Sequence, residues 1–98
     1  MQGRIEQVSI SKGGVPKVGV REAWAGPLGL AGDFHRNPKY HGGPAKALLL
    51  ISGEDLDELR GEGFDIGAGS LGENLTVRGI DFRQLREGMR MRAGDAVI

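Results

Sequence analysis

The 98-residue sequence contains no cysteine, a single tryptophan and no long apolar run. Without cysteine, these residues hold no disulfide, no zinc-finger or iron–sulfur cysteines and no thiol nucleophile. The longest apolar run, Ala47–Ile51, is much shorter than the ~18 residues of a membrane span. The N-terminus also lacks the basic-then-apolar pattern of a signal peptide. We therefore expect a cytoplasmic protein with no membrane partner.

Neither sign of charge is in excess, because 13 basic residues offset 13 acidic ones. A nucleic-acid-binding domain normally shows a basic excess or a basic stripe, so we expect no nucleic-acid partner. The densest basic group consists of Arg83, Arg86, Arg90 and Arg92, interrupted by Glu87. Because half of all strand positions face outward, we interpret it as a solvated face. An anion-contacting edge is the alternative.

Glycine is abundant, at 18 of 98 residues, and is dispersed among apolar residues. This density suits tight turns and left-handed backbone, which favours a mainly β fold with short strands. The length corresponds to one domain, residues 1–98. Trp24 is expected in the core, and Gly26–Tyr40 as a long loop without regular structure. Strands are expected at Gly3–Ile10, Val15–Ala23, Ala45–Ile51, Asn74–Arg78 and Met89–Arg92.

One short helix is expected after Ser52, which has the character of an N-cap, with Asp55 three residues later. Gly61 and Gly63 are expected to end this helix. Phe82–Leu85 favours a single further helical turn. The order of elements does not alternate as a series of βαβ units does, so a small barrel or sandwich is the expected class.

The segment Gly67–Gly72 matches the G-x-G-x-x-G spacing of dinucleotide phosphate loops. That mechanism requires a helix opening on the last glycine, with helical amides facing the pyrophosphate. The residues that follow, Glu73–Val77, have strand character instead. We therefore reject the dinucleotide-binding hypothesis.

Asp33, His35 and His41 place one carboxylate and two imidazoles within nine positions. A 2-His-1-carboxylate metal site uses these ligand types, so a metal-dependent enzyme is one hypothesis. The alternative is that these side chains fix a long loop by hydrogen bonds. His41 also precedes two glycines, where the backbone can approach a ligand closely.

Five short motifs, taken together and in order, resemble the MOSC domain, the module shared with the C-terminal part of molybdenum-cofactor sulfurases. They cover nearly the whole chain. They are GG-x-PK at 13–17, G-L-x-G-D at 29–33, HGG at 41–43 before an apolar strand, LGENLT-V-x-G at 71–79, and G-M-R at 88–90 leading to AGDAVI at 93–98.

The resemblance implies a small β-barrel-like fold with one or two short helices, incomplete at the C-terminus. It also implies binding of the molybdenum cofactor (molybdopterin), or handling of activated sulfur for it. Stand-alone bacterial members are associated with detoxifying N-hydroxylated bases together with reductases, which makes a reductase a partner implied here. The implied cofactor-binding residues, which lie on the family's motif positions, are Gly32, Asp33, His41, Gly42, Gly43, Gly72, Glu73 and Asn74. In that pocket the glycine amides would face a pterin or phosphate, and His41 and Asn74 would form hydrogen bonds.

The sequence departs from the family where the strand that starts at Ala96 would continue toward a cysteine, the sulfur carrier or molybdenum ligand. Either the chain continues beyond Ile98 in the full protein or it is a naturally short member. An unfinished strand leaves backbone groups unpaired at an apolar edge, so we expect a homo-oligomer formed through this strand. As given, the chain is not expected to transfer sulfur by itself, and no catalytic residue is assigned. The alternatives are a non-catalytic barrel module that binds a small ligand or a protein, and the metal enzyme above.

Overall fold

The computed structural model describes residues 2–11, 15–33 and 48–98. Strands and one helix follow in the order β1 (Arg4–Ile10), β2 (Val18–Val20), β3 (Ala25–Gly26), β4 (Gly29–Leu30), β5 (Leu50–Ser52), α1 (Gly53–Gly61), β6 (Leu75–Arg78), a 3-10 turn (Phe82–Gln84), β7 (Arg92–Ala93) and β8 (Ala96–Val97). The mainly β class is confirmed.

The main sheet has four strands in the order β2-β1-β6-β5. β1 pairs antiparallel with β2 and with β6, and its register against β6 shifts between Ile5 and Gln7. This bulge places Glu6 outside the regular pairing, where its carboxylate accepts a hydrogen bond from Arg78 Nε at 2.7 Å. β2 lies at the edge of this sheet, because it pairs only with β1 within the described part of the chain.

β5 and β6 pair in parallel, with α1 as the connection between them. This single βαβ unit differs from our expectation, which was based on the absence of βαβ alternation along the whole chain. The helix itself begins as expected, because the Ser52 hydroxyl accepts a hydrogen bond from Asp55 N at 3.2 Å. Leu56 is the helix residue that packs into the core, with 1% of its surface exposed.

Two small hairpins accompany the sheet, β3–β4 and β7–β8. The first corrects two expectations. Part of the supposed irregular loop after Gly26 is a hairpin, and Trp24 is 85% exposed instead of lying in the core. The physical reason is that Trp24 directly precedes β3, and β3 and β4 are hydrogen-bonded only to each other among the described strands.

The second hairpin starts later than the sequence suggested. β7 covers Arg92–Ala93, not Met89–Arg92, because the chain first makes a turn closed by a hydrogen bond from Met89 N to Arg86 O at 3.1 Å. Gly88 adopts φ +87° in this turn.

The described interior is unusually polar. Four apolar side chains are buried, namely Leu30, Leu56, Leu75 and Val77, against six polar or charged ones: Ser9, Ser11, Ser52, Glu73, Asn74 and Thr76. A buried polar group costs free energy unless it is hydrogen-bonded. These six side chains therefore require hydrogen-bond partners inside the protein.

The sheets of the described residues do not close on themselves, so "barrel-like" holds only as a loose description of a small β-rich fold. Within those residues no helix is both long and apolar enough to span a membrane.

Candidate functional site

Asp33 lies at the centre of a buried polar cluster. Its side chain is fully buried, and Oδ2 accepts a hydrogen bond from Lys17 Nζ at 2.7 Å. The other oxygen, Oδ1, accepts from the backbone N–H of Ser11 at 2.8 Å. Only 9% of the Lys17 side chain is exposed, so this is an ion pair held away from water. Breaking such a pair on one side leaves an uncompensated buried charge.

Asn74 joins this ion pair to the sheet. Its Nδ2 donates to Asp33 Oδ2 at 2.8 Å and to Ser9 O at 3.2 Å, while Oδ1 accepts from Leu49 N at 3.1 Å. Its backbone takes part as well, since Asn74 N donates to Leu49 O at 2.8 Å and Asn74 O accepts from Ser9 N at 2.7 Å. The amide thus has both donors and its acceptor engaged within the protein.

These contacts bring together motifs that are far apart in the sequence. Lys17 comes from GG-x-PK, Asp33 from G-L-x-G-D, and Asn74 from LGENLT. Lys17, Ser9 and Ser11 were not among the residues expected at the site. Lys17 could have been found, because its motif was noted, whereas Ser9 and Ser11 carry no signal apart from their place at the end of β1.

The hydrogen bonds decide the charge of Asp33. Burial raises the pKa of this carboxyl, but hydrogen bonds from Lys17, Asn74 and the Ser11 N–H more than offset that effect, and the charge of Lys17 adds to them. The pKa of Asp33 is therefore below its ordinary value, and Asp33 is a carboxylate at neutral pH.

Glu73 is a second buried carboxylate, with 0% of its surface exposed. Its Oε2 accepts from Gly69 N at 3.0 Å and from Thr76 Oγ1 at 2.9 Å. The other oxygen, Oε1, is buried and has no hydrogen-bond partner within the part of the chain that the structure describes. Among the described residues it is an acceptor that lacks a donor.

The glycine-rich turn 67–72 folds onto this carboxylate and onto the chain near Lys17. Its amides are engaged internally: Gly67 N donates to Ser70 Oγ, Ser70 N to Gly67 O, and Gly72 N to Gly69 O. Gly72 has φ +85°, and a Cβ there would lie 2.8 Å from Val15 Cγ1. No helix follows the turn, since β6 begins at Leu75. The strand character expected for the residues after this turn is confirmed.

The remaining expected site residues divide into two groups. Gly32 directly precedes Asp33 in a turn closed by Asp33 N donating to Leu30 O at 3.1 Å. His41, Gly42 and Gly43, and also His35 of the metal hypothesis, lie outside the described residues. Within the described ranges, no three His, Cys, Asp or Glu side chains are grouped as metal ligands. Binding of cofactor or metal by these positions stays a prediction.

A cavity of about 710 Å³ lies on the other face of β6. Leu75 and Val77 line it, whereas Thr76 between them bonds to Glu73, and alternate strand residues face opposite sides of a sheet. Arginines 4, 90 and 92 also line the cavity. The sequence indicated a solvated face for the last two, with an anion-contacting edge as the alternative, whereas no pattern distinguishes Arg4.

The fold and the site together define a small, mainly β domain whose ordered motifs meet in a buried carboxylate–lysine–amide cluster. The family model of the MOSC domain matches residues 37–98, more than half of the chain. The chain belongs to the MOSC domain family, which is associated with molybdenum-cofactor sulfurase-related function. No curated protein and no solved structure matches it.

The family match includes Glu73 and Asn74 but begins after Lys17 and Asp33. The hydrogen bond between Asp33 and Asn74 therefore connects the first third of the chain physically to the matched part. This contact gives the two motifs before residue 37 a structural relation to the family motif that the match alone does not provide.

Proposed function

We propose that these 98 residues form a binding module for molybdenum-cofactor chemistry and do not themselves carry the sulfur. The observation behind the proposal is the buried carboxylate of Glu73, which sits inside a family motif with one oxygen unpartnered in the described structure. The second part follows from composition: none of the 98 residues has a thiol, so none of them can hold a persulfide.

The chemistry of the cluster fits one end of the cofactor better than the other. A pterin presents ring N–H and amino donors, and Glu73 Oε1 is an acceptor in need of a donor. A phosphate needs cationic or amide donors, but Lys17 is paired with Asp33, and the side-chain donors of Asn74 are engaged. Glu73 would thus hold the heterocycle, and the described cluster has no side chain free for the phosphate. When bound, the cofactor would supply oxygen- or sulfur-transfer chemistry at molybdenum.

Cofactor retention tests the proposal. Purified protein is incubated with molybdenum cofactor released from a carrier protein, passed through a gel-filtration column and assayed for molybdenum and for oxidised pterin fluorescence. We expect both to co-elute with the protein and to fall in Glu73→Gln, which replaces the spare acceptor by a donor. Glu87→Gln, at an exposed position, is the matched control and should retain the cofactor like the wild type.

If neither molybdenum nor pterin co-elutes, the cofactor proposal is wrong, and a non-catalytic module for another ligand or for a protein is the remaining candidate. The absence of a thiol among these residues is as compatible with that second candidate as with cofactor binding. The same proposal includes two partners, a reductase and a second copy of the chain. The reductase follows from the family resemblance, and the second copy is argued from β8 below.

A further inference from the structure

The cavity on the far side of β6 combines apolar walls with unneutralised positive charge. Its walls come from β1, β5, β6, the 3-10 turn and the C-terminal hairpin, and include Ile5, Leu75, Val77 and Phe82. No aspartate or glutamate side chain of the described residues is among its lining. Its volume, about 710 Å³, is that of a typical small-molecule site.

The arginines of the described residues differ in their ion pairing, and two that lie outside the cavity, Arg21 and Arg86, form no ion pair among these residues. Arg60, Arg78 and Arg83, outside it, each form an ion pair with an aspartate or glutamate. Arg4, Arg90 and Arg92 are exposed and form no ion pair within the described part of the chain. Guanidinium groups bind carboxylate, sulfonate and phosphate groups through charge-assisted hydrogen bonds.

Arg4 differs from the other two arginines of the lining. It lies directly opposite Arg78 across the β1–β6 pair, so its side chain shares the face of Arg78 and Thr76. Arg90 and Arg92 are therefore the arginines available to hold an anion in the cavity.

We infer that this cavity is a binding site for a small aromatic anion, with the ring against the apolar wall and the anionic group at Arg90 and Arg92. This site does not depend on the cofactor proposal, because Leu75 and Val77, which line it, lie on the face of β6 opposite the Thr76–Glu73 contact. Its ligand class, an apolar ring with a phosphate, sulfonate or carboxylate, follows from charge and wall chemistry alone.

A matched pair of fluorescent probes tests the inference: 1-anilinonaphthalene-8-sulfonate and its neutral counterpart, N-phenyl-1-naphthylamine. We expect the sulfonate to bind at least about tenfold more tightly, and Arg92→Gln to weaken the sulfonate alone by about fivefold. Added salt should weaken the sulfonate and leave the neutral probe unchanged. Arg83→Gln, which removes a paired arginine outside the cavity, should change neither.

A second variant locates the probes. Ala93 lines the cavity, so Ala93→Trp should fill it and weaken both probes. Equal affinity for the two probes, equal effects of Arg92→Gln and Arg83→Gln, or unchanged binding to Ala93→Trp would each overturn the inference. So would probe binding that weakens as protein concentration rises, because a second copy would then occupy the cavity.

Displacement of the bound sulfonate distinguishes the sources of such a ligand. Displacement by flavin mononucleotide but not by riboflavin assigns the site to phosphorylated heterocycles. Displacement by 1-naphthoate alone assigns it to hydrophobic carboxylates. If neither displaces the sulfonate, the inferred ligand class is wrong. Cofactor retention in Glu73→Gln is measured separately, so this inference and the proposed function fail independently.

Discussion

Asn74 fixes three segments with one residue: the end of β1, the chain at Leu49 and the turn that carries Asp33. Its side-chain amide takes the place of a backbone amide in the pairing of strands. It donates to Ser9 O and accepts from Leu49 N. This explains how an asparagine can be 1% exposed in a domain with few buried apolar residues.

Asn74→Asp should therefore destabilise the fold. The substitution is nearly isosteric, but it replaces both donors with an acceptor facing the Asp33 carboxylate, which is now 2.8 Å from Asn74 Nδ2. We expect a loss of about 2–4 kcal/mol in the free energy of unfolding, measured by urea denaturation. Gln84→Glu, the same change at an exposed position, should lose almost nothing. Equal effects at the two positions would show that Asn74 has no such role.

Because the pKa of Asp33 is lowered in the folded state, we expect the stability of the protein to depend on pH. A carboxyl whose pKa is lower in the folded state contributes stability above its unfolded value, and that contribution is lost as pH falls through the folded pKa. Wild-type stability should thus fall below about pH 4. In Asp33→Asn the slope should be shallower and stability at neutral pH lower, because Lys17 loses its partner.

Asp57 should make stability depend on pH in both the wild type and Asp33→Asn. Hydrogen bonds from Arg78 and Arg60 lower the pKa of this exposed carboxyl to about 2. Urea denaturation across the acid range compares the two slopes directly. Identical slopes for wild type and Asp33→Asn would mean that Asp33 contributes nothing to acid unfolding.

The turn 67–72 depends on a close approach of two backbones at Gly69. Its N–H bonds Glu73, its carbonyl accepts from Lys17 N at 2.9 Å, and a Cβ would lie 2.4 Å from Lys17 O. This contact places the Glu73 carboxylate and the Lys17 segment side by side, so the element between α1 and β6 is part of the site and not a mere connection.

Gly69→Ala and Gly63→Ala separate this contact from backbone strain. Both glycines have positive φ, +87° and +102°, but a Cβ at Gly63 would meet nothing within 4 Å. Gly63→Ala should cost about 1–2 kcal/mol for its left-handed backbone. Gly69→Ala should cost at least about 2 kcal/mol more, because backbone must move. Thermal or urea denaturation measures both. Equal costs would show that the approach to Lys17 is not tight.

Local sequence signals predicted local structure well. The Ser52 cap, the helix end at Gly61 and the strand after Asn74 are set by residues within a few positions of each other. The parallel pairing of β5 with β6 and the exposure of Trp24 were not predictable in this way. Both depend on which distant segment packs against which, and that is decided by the whole chain.

The candidate site shows the same division. Asp33 and Asn74 were named from their motifs, but their contact across 41 positions carries no local signal. Lys17 is buried only because Asp33 is there to pair with it, so its role becomes visible only with the fold. The arginines of the cavity are dispersed between position 4 and positions 90–92, and no spacing rule joins them.

The two faces of β6 divide the molecule by charge. One face buries two acidic side chains with a lysine and an amide, and the other opens onto apolar walls and the arginines 90 and 92. A donor-rich heterocycle matches the first face and an aromatic anion the second. Because Thr76 and its neighbours Leu75 and Val77 alternate between them, a shift of one residue in β6 would exchange the two surfaces.

The C-terminal hairpin has an edge at β8 that no other described strand covers, and we expect a second copy to pair there. Met91 and Ile98 exchange both backbone hydrogen bonds, so Val97, one position before, points its N–H and C=O away from β7. Val97 is 61% exposed.

We expect a dimer in sedimentation velocity, formed by pairing along this edge. Val97→Pro should shift it toward monomer, because proline removes the outward N–H without removing a β7–β8 bond. Val97→Thr keeps that N–H and should stay dimeric, whereas a wild type that is monomeric at all concentrations would contradict the pairing.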